Sequence, residues 1–103
     1  MYVKIYEYHI KKEYEATFFE VQKQVSRIYK KYVSCNIKYL QSVHDATLWM
    51  EISEFNREEE YLQGMEQVNK DPLIQELFKL FETCLVTDKQ EIKESSFIIR
   101  LKM

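Results

Sequence analysis

The fold is decided by residues 2–32, which read YVKIYEYHIKKEYEATFFEVQKQVSRIYKKY. The first nine residues are rich in aromatic and β-branched side chains and predict a strand, with Val3 and Ile5 on one face and tyrosines on the other. The apolar residues after them recur at spacings of four and three, which predicts an amphipathic helix. They are Tyr14, Phe18, Val21, Val25, Ile28 and Tyr32. A strand that leads directly into a long helix is a typical opening of an α+β domain.

The middle of the chain predicts a hairpin. Residues 35–43 and 46–53 both have strand patterns, and the polar pair His44-Asp45 lies between them. Because the connection is so short, the two strands are expected to pair antiparallel.

The second half of the chain predicts two helices and a last strand. Asn56 and Glu59 have capping-box spacing, so a helix is expected to start near Arg57. A third helix is expected after Asp71 as its cap, with Pro72 at its first position. Residues 86–95 predict a loop, and the alternating residues 97–103 predict a strand. The predicted fold is therefore α+β and ferredoxin-like, with the order βαββααβ, an antiparallel four-stranded sheet and helices on one face.

Composition and charge exclude several classes of protein. The 103 residues suit a single domain, 1–103, and one glycine leaves no room for a glycine-rich phosphate loop. The net charge of -2 argues against nucleic acid or an anionic membrane as a partner. Cys35 and Cys84 lie in no metal or CxxC spacing, which is typical of free thiols in a reducing cytoplasm. No apolar run approaches transmembrane length, so no membrane partner is expected. Together with the free thiols, this predicts a cytoplasmic protein, and the cysteine spacing predicts no metal.

The strands carry apolar side chains on both faces, although the helices of one chain can cover only one face of a sheet. The helix-covered face is expected to hold the mainly aliphatic set of Val3, Ile5, Leu48, Met50, Ile52, Ile99 and Leu101. The other face then carries Tyr6, Tyr8, Trp49 and Ile98. A second copy of the chain is the simplest cover for these side chains, so a homodimer whose sheets form a barrel is expected.

The candidate ligand-binding residues lie on that second face. They are Tyr6, Tyr8, Trp49, Glu51 and Arg100. Aromatic rings could stack on a small aromatic ligand, while Glu51 and Arg100 orient a polar group. The alternative is a purely structural role, in which the same residues fill the dimer interface and Glu51 forms a buried ion pair with Arg100.

His9 is the candidate catalytic residue. It comes after the tyrosines near the end of the first strand, and an imidazole transfers protons near neutral pH. The alternative is a solvated histidine at a strand end. Nothing near either histidine supplies the two or three further ligands that a zinc or iron site needs, so no metal site is expected.

The chain resembles the dimeric α+β barrel superfamily, and within it the antibiotic-biosynthesis-monooxygenase-like families. One feature is the opening strand followed by a long helix that carries Phe18 in an aromatic position of the family. A second is the strand LWMEISEF at residues 48–55, in which Glu51 matches a common glutamate. The third is the interrupted helical region REEEYLQGMEQVNKDPLIQELFKLF at residues 57–81.

The resemblance implies a homodimer whose facing sheets enclose a cavity, and a cofactor-independent monooxygenase acting on an aromatic molecule. Haem-degrading relatives use an asparagine on the first strand, a tryptophan after the third strand and a histidine on the next helix. This chain has none of the three at those places, so haem degradation and a haem cofactor are not expected. The alternative function is a non-catalytic ligand-binding, structural or stress-related dimer. RNA binding is disfavoured because the strand ATLWMEIS has no basic residue.

Overall fold

The computed structural model describes residues 1–103 and contains the predicted order of elements. They are β1 (Tyr2–His9), a 3-10 turn (Lys12–Tyr14), α1 (Glu15–Tyr32), β2 (Cys35–Gln41), β3 (Leu48–Phe55), α2 (Glu58–Val68), α3 (Ile74–Cys84) and β4 (Lys93–Ile98). The strands form one antiparallel sheet in the order β2-β3-β1-β4. The predicted α+β, ferredoxin-like fold is confirmed. None of the helices combines the length and the apolar character that a bilayer span requires.

The two central strands bring the predicted aromatic residues onto one face. Tyr8 of β1 lies opposite Trp49 of β3, and Tyr6 lies opposite Glu51. On the other side of β3, Tyr39 of β2 also pairs with Glu51. Because side chains alternate along a strand, all five residues project from the same face of the sheet.

The helices cover this aromatic face, so the predicted assignment of the two faces was wrong. The ring of Tyr8 packs edge-on against Phe18 of α1 and Phe81 of α3, at centroid distances of 5.8 and 5.0 Å. Phe55 packs against Tyr61 of α2 at 4.8 Å. Alternation shows which residues share a face but does not show which face the helices take, and here large rings fill the space between sheet and helices.

The helices leave the opposite face uncovered, although Val3 on it is buried. We call it the open face, and its apolar residues are Val3, Ile5, Leu40, Leu48, Met50, Ile52 and Phe97. Leu40 is 46% exposed and Phe97 is 54% exposed, at the two sides of the sheet. The face also carries polar residues, among them Lys38 opposite Ile52. A sheet face that exposes apolar residues and carries no helices is the kind of surface that a protein partner covers.

The last strand lies earlier in the chain than predicted. β4 ends at Ile98, which pairs with Tyr2, so β1 has almost no residue left to pair with the segment after Ile98. The amide of Ile99 still donates to the carbonyl of Met1 at 3.0 Å. Residues 99–103 therefore run past the sheet, Leu101 is 75% exposed, and the expected core positions of Ile99 and Leu101 were wrong. The predicted loop 86–95 overlaps the first three residues of β4.

The second helix starts at Glu58, close to Arg57 as predicted, but its cap differs from the prediction, and the third helix starts later than predicted. Arg57, not Asn56, precedes α2, and no side chain caps that helix, so the capping box was wrong. Asp71 does cap a turn, because its Oδ1 accepts a hydrogen bond from the amide of Leu73 at 3.1 Å. The helix itself begins only at Ile74, two residues after Pro72.

Gly64 sets how closely α2 approaches the chain after α1. It is buried, and a Cβ atom placed on it would lie 2.6 Å from the Cβ of Val33.

Gly64→Ala should therefore lower the free energy of unfolding by about 1–3 kcal/mol, the usual cost of overpacking, despite the better helix propensity of alanine. Chemical denaturation at one protein concentration measures the change. The exposed neighbour Gln63 serves as the control, since Gln63→Ala should leave the free energy of unfolding nearly unchanged. If the Gly64→Ala protein is as stable as this control, the close contact between Gly64 and Val33 is contradicted.

Candidate functional site

A cavity of about 280 Å³ lies between the aromatic face of the sheet and helices α1 and α3. This volume is near the lower end of ligand pockets, which span roughly 300–1,000 Å³. Glu82 and Ile92 are its exposed lining residues and mark the side open to solvent. The remaining lining residues are Tyr6, Tyr8, Gln22, Val25, Tyr29, Glu51, Phe78 and Phe81. This cavity lies within one chain, whereas the cavity that the resemblance implied lies between the sheets of two chains.

Glu51 is one of the two acidic residues that line this cavity, and the other, Glu82, is exposed. Glu51 projects from the middle of β3, between Tyr6 of β1 and Tyr39 of β2. The hydroxyl of Tyr8 donates a hydrogen bond to its Oε1 at 2.8 Å, and no lysine, arginine or histidine forms an ion pair with it. Burial raises the pKa of Glu51, and the bond from Tyr8 offsets only part of that rise. A carboxylate with a raised pKa is a stronger base than a solvated one.

The tyrosines around Glu51 remain protonated over the whole neutral range. Burial is the main cause that raises the pKa of Tyr8, Tyr29 and Tyr39, and the negative charge of Glu51 is the next. Burial also raises the pKa of Tyr6, followed by the effect of Tyr61. These hydroxyls therefore act as hydrogen-bond donors and not as bases.

Gln22 is a polar residue of this site that the sequence analysis missed. It lies on the inner side of α1 and its Oε1 accepts a hydrogen bond from the hydroxyl of Tyr39 at 2.8 Å. A signal was present in the sequence, since Phe18, Gln22, Val25 and Tyr29 repeat at spacings of four, three and four. A glutamine at such spacing places a polar group among the core residues of a helix.

Three of the predicted ligand-binding residues line the cavity, and two do not. Tyr6, Tyr8 and Glu51 are brought together there. Trp49 instead packs against Phe18 at a centroid distance of 5.1 Å and belongs to the core. Arg100 is exposed beyond the end of β4 and forms no ion pair with Glu51, because the sheet pairing ends at Ile98.

His9 lies outside the cavity. It alternates with Tyr8, so its side chain is on the open face, where it lines a separate polar hollow with Glu7 and Lys93. Its Nδ1 is 2.9 Å from Oγ1 of Thr47 and 3.7 Å from Oδ2 of Asp45. The structure therefore separates His9 from the residues around Glu51.

The arrangement suits proton transfer within an apolar, aromatic pocket. Glu51 offers a basic carboxylate, Tyr8 supports it with one hydrogen bond, and the rings of Phe78 and Phe81 provide flat walls. No three histidine, cysteine, aspartate or glutamate side chains lie close enough together to hold a metal ion.

Comparison with solved structures shows which proteins share this fold. A variant of SnoaB from Streptomyces nogalater, described as a cofactor-independent oxygenase, superimposes with a TM-score of 0.77 at 8% identity, over 99% of this chain and 95% of that chain. An antibiotic biosynthesis monooxygenase superimposes with a TM-score of 0.70 at 11% identity, over 96% and 98% of the two chains. The chain shares the fold of these two proteins.

This fold also occurs in proteins without such a description. An uncharacterised NIPSNAP domain protein from Burkholderia xenovorans superimposes with a TM-score of 0.74 at 12% identity, over 96% of this chain and 94% of that chain. No protein-family model and no curated protein sequence matches the chain. Identities this low establish the fold alone, so the function has to be argued from the residues of the cavity.

The raised pKa of Glu51 has a consequence for stability. When a carboxyl has a higher pKa in the folded protein than in the unfolded chain, its protonation stabilises the fold. This stabilisation is complete below the unfolded pKa of about 4.3, and it is lost as the pH rises through the folded pKa. Glu51→Gln should therefore be more stable than the wild type at about pH 8, by about 1–3 kcal/mol, and the difference should vanish near pH 4.

Denaturation curves across this pH range measure the effect. Glu54→Gln is the matched control, because Glu54 is on the same strand but projects from the open face. A Glu51→Gln protein that is less stable than the wild type at about pH 8 contradicts an unfavourably buried carboxylate.

Proposed function

We propose that the protein is a cofactor-independent monooxygenase-like enzyme that binds a small ring-shaped molecule in the cavity and uses Glu51 as its general base. The observation that carries this proposal is a carboxyl group with a raised pKa, held by one tyrosine hydroxyl inside an aromatic pocket. Burying a carboxylate without a cation is destabilising, so a functional role accounts for its position.

The walls of the cavity define the kind of ligand. Most lining side chains are apolar or aromatic, and Tyr6, Phe78 and Phe81 present rings to the space. Such rings bind flat apolar molecules by stacking and edge contacts. The volume of about 280 Å³ suits a molecule of one or two rings.

The proposed reaction needs no electron carrier because the substrate supplies the electrons. Glu51 takes a proton from an acidic C–H or O–H group of the substrate ring, and an electron-rich anion of the substrate remains. The anion passes an electron to dioxygen, and the two radicals combine to a peroxide anion, which takes the proton back from Glu51 to give a hydroperoxide. Loss of water from the peroxide leaves a carbonyl, so that a CH₂ group and O₂ give C=O and H₂O.

The similarity to SnoaB supports this class of reaction at the level of the fold. The cavity supports it further, since its lining is mostly apolar and the base projects from a central strand of the sheet. Under this proposal His9, which lies outside the cavity, has no part in the proton transfer.

We also infer that the protein is a homodimer in which two open faces pack together. Ile5 and Ile52 are directly paired at the centre of that face, with Leu40 and Phe97 exposed toward its two sides. The alternating apolar residues of segment 99–103, which run past the sheet, could extend this contact. Such a dimer leaves the cavity of each chain intact on the other side of the sheet.

A cytoplasmic location fits the same proposal. Cys35 and Cys84 are both free, and burial raises the pKa of each thiol. Protonated, unpaired thiols are usual in a reducing compartment.

The enzymatic proposal is tested by oxygen uptake with 1-naphthol and 2-tetralone as probes. The wild type should consume oxygen with at least one of them, and Glu51→Gln should lower the rate by about 10²–10⁴-fold, because a general base contributes that much. Glu54→Gln, on the opposite face of the same strand, should retain the wild-type rate. Tight binding of both probes without oxygen uptake contradicts the proposal and favours a non-catalytic ligand-binding protein.

The dimer is tested by sedimentation of an open-face variant. Ile52→Lys should convert the protein to a monomer, because it places two charges in the centre of a two-fold interface. Leu62→Lys is the matched control, since Leu62 is exposed on α2, away from the open face. An intact dimer in Ile52→Lys shows that the interface lies elsewhere.

A further inference from the structure

His9 belongs to a chain of three hydrogen-bonded side chains at the end of β1. Its Nδ1 lies 2.9 Å from Oγ1 of Thr47, and the hydroxyl of Thr47 donates to Oδ1 of Asp45 at 2.7 Å. Hydrogen bonds from the side chain and the backbone of Thr47 lower the pKa of Asp45, so this carboxylate is ionised and only accepts hydrogen bonds.

These contacts determine which nitrogen of His9 carries a hydrogen. The hydroxyl of Thr47 has a single hydrogen and uses it toward Asp45, so it can only accept from His9. Nδ1 therefore carries the hydrogen, and Nε2 of the neutral ring keeps its lone pair. Neutral His9 is thus a hydrogen-bond acceptor toward any molecule that approaches Nε2.

The ring of His9 lines the polar hollow of the open face, which has a volume of about 510 Å³. Leu48 is the single apolar residue of its lining, and the exposed segment 88–91 forms one wall. The charged lining residues are Glu7, Asp88, Lys89, Glu91 and Lys93. None of these five takes part in an ion pair within the chain, so both signs of charge are available to a ligand.

The hollow is separate from both the cavity and the centre of the proposed dimer interface. It lies on the opposite side of the sheet from Glu51. His9 is also four positions beyond Ile5, which is roughly 13 Å along an extended strand.

We propose that this hollow binds a small zwitterion, a free α-amino acid with an apolar side chain, and that His9 orients it. The ammonium group of the ligand donates to Nε2 of His9 and is attracted to the carboxylate of Glu7. The carboxylate of the ligand pairs with Lys89 and Lys93, and its side chain contacts Leu48. A zwitterion satisfies both signs of charge in the lining, whereas a simple cation or anion leaves one sign unpaired.

Nitrogen NMR measures which nitrogen of His9 carries the hydrogen. At about pH 8, where an ordinary imidazole is neutral, the wild type should show the Nδ1–H tautomer. Thr47→Val keeps the shape of the side chain but removes the hydroxyl, and His9 should then lose this tautomer preference. A wild-type His9 with its hydrogen on Nε2 overturns the inference.

Titration calorimetry with three probes that share one hydrocarbon skeleton tests the class of ligand. Leucine carries both charges, 3-methylbutylamine lacks the carboxylate, and 4-methylpentanoate lacks the ammonium group. The wild type should bind leucine at least about 10-fold more tightly than either analogue, because each analogue lacks one charge-assisted interaction. Equal affinities for the three probes, or no binding of leucine, overturn the inference.

Two variants separate the contacts of the two ligand charges. His9→Phe keeps a ring but removes Nε2, so it should weaken leucine binding by about 10-fold and leave 4-methylpentanoate unchanged. Lys93→Gln should weaken the binding of leucine and 4-methylpentanoate but not that of 3-methylbutylamine. The controls His44→Phe, in the exposed hairpin, and Glu51→Gln, in the cavity, should bind leucine as the wild type does. Unchanged leucine affinity in His9→Phe, or a loss in Glu51→Gln that places leucine in the cavity, overturns the inference.

Discussion

The packing of α1 and α3 on the aromatic face of the sheet is the constraint on which the other features depend. Phe18 is fully buried at its centre, in contact with the rings of Tyr8, Trp49 and Phe81. Tilted and edge-on ring pairs are the arrangements that aromatic side chains prefer. The cavity lies beside these rings, and strand alternation then places the aliphatic side chains of the same strands on the open face.

Sequence patterns predicted the order of elements and the residues that share a face, because both depend on local alternation. Tyr6, Tyr8, Trp49 and Glu51 do share one face, as predicted. The side of the sheet was not predictable from alternation, since that choice depends on the long-range contact of Phe18 with the strands. The end of β4 was not predicted for a similar reason. It is set by the pairing of Ile98 with Tyr2, which is the first residue of β1.

The candidate site was partly predictable for the same reasons. Glu51 was recognised as an acid among aromatic residues, which is a property of one strand. Gln22 comes from a helix, and only the bond from Tyr39 of a different strand shows that its amide is oriented toward the cavity. Arg100 failed as a partner of Glu51 because its position depended on a strand that ends before it.

The correction of the faces changes how assembly and chemistry are related. If the aromatic residues formed the dimer interface, Glu51 would be buried by the partner, and any pocket would require two chains. With the helices on the aromatic side, the lining of the cavity comes entirely from one chain, while the open face is free to pair. The sheet is then a rigid partition whose two faces serve separate purposes. Substitutions on the open face therefore alter assembly without touching Glu51 or Gln22, so the two proposals stand or fall independently.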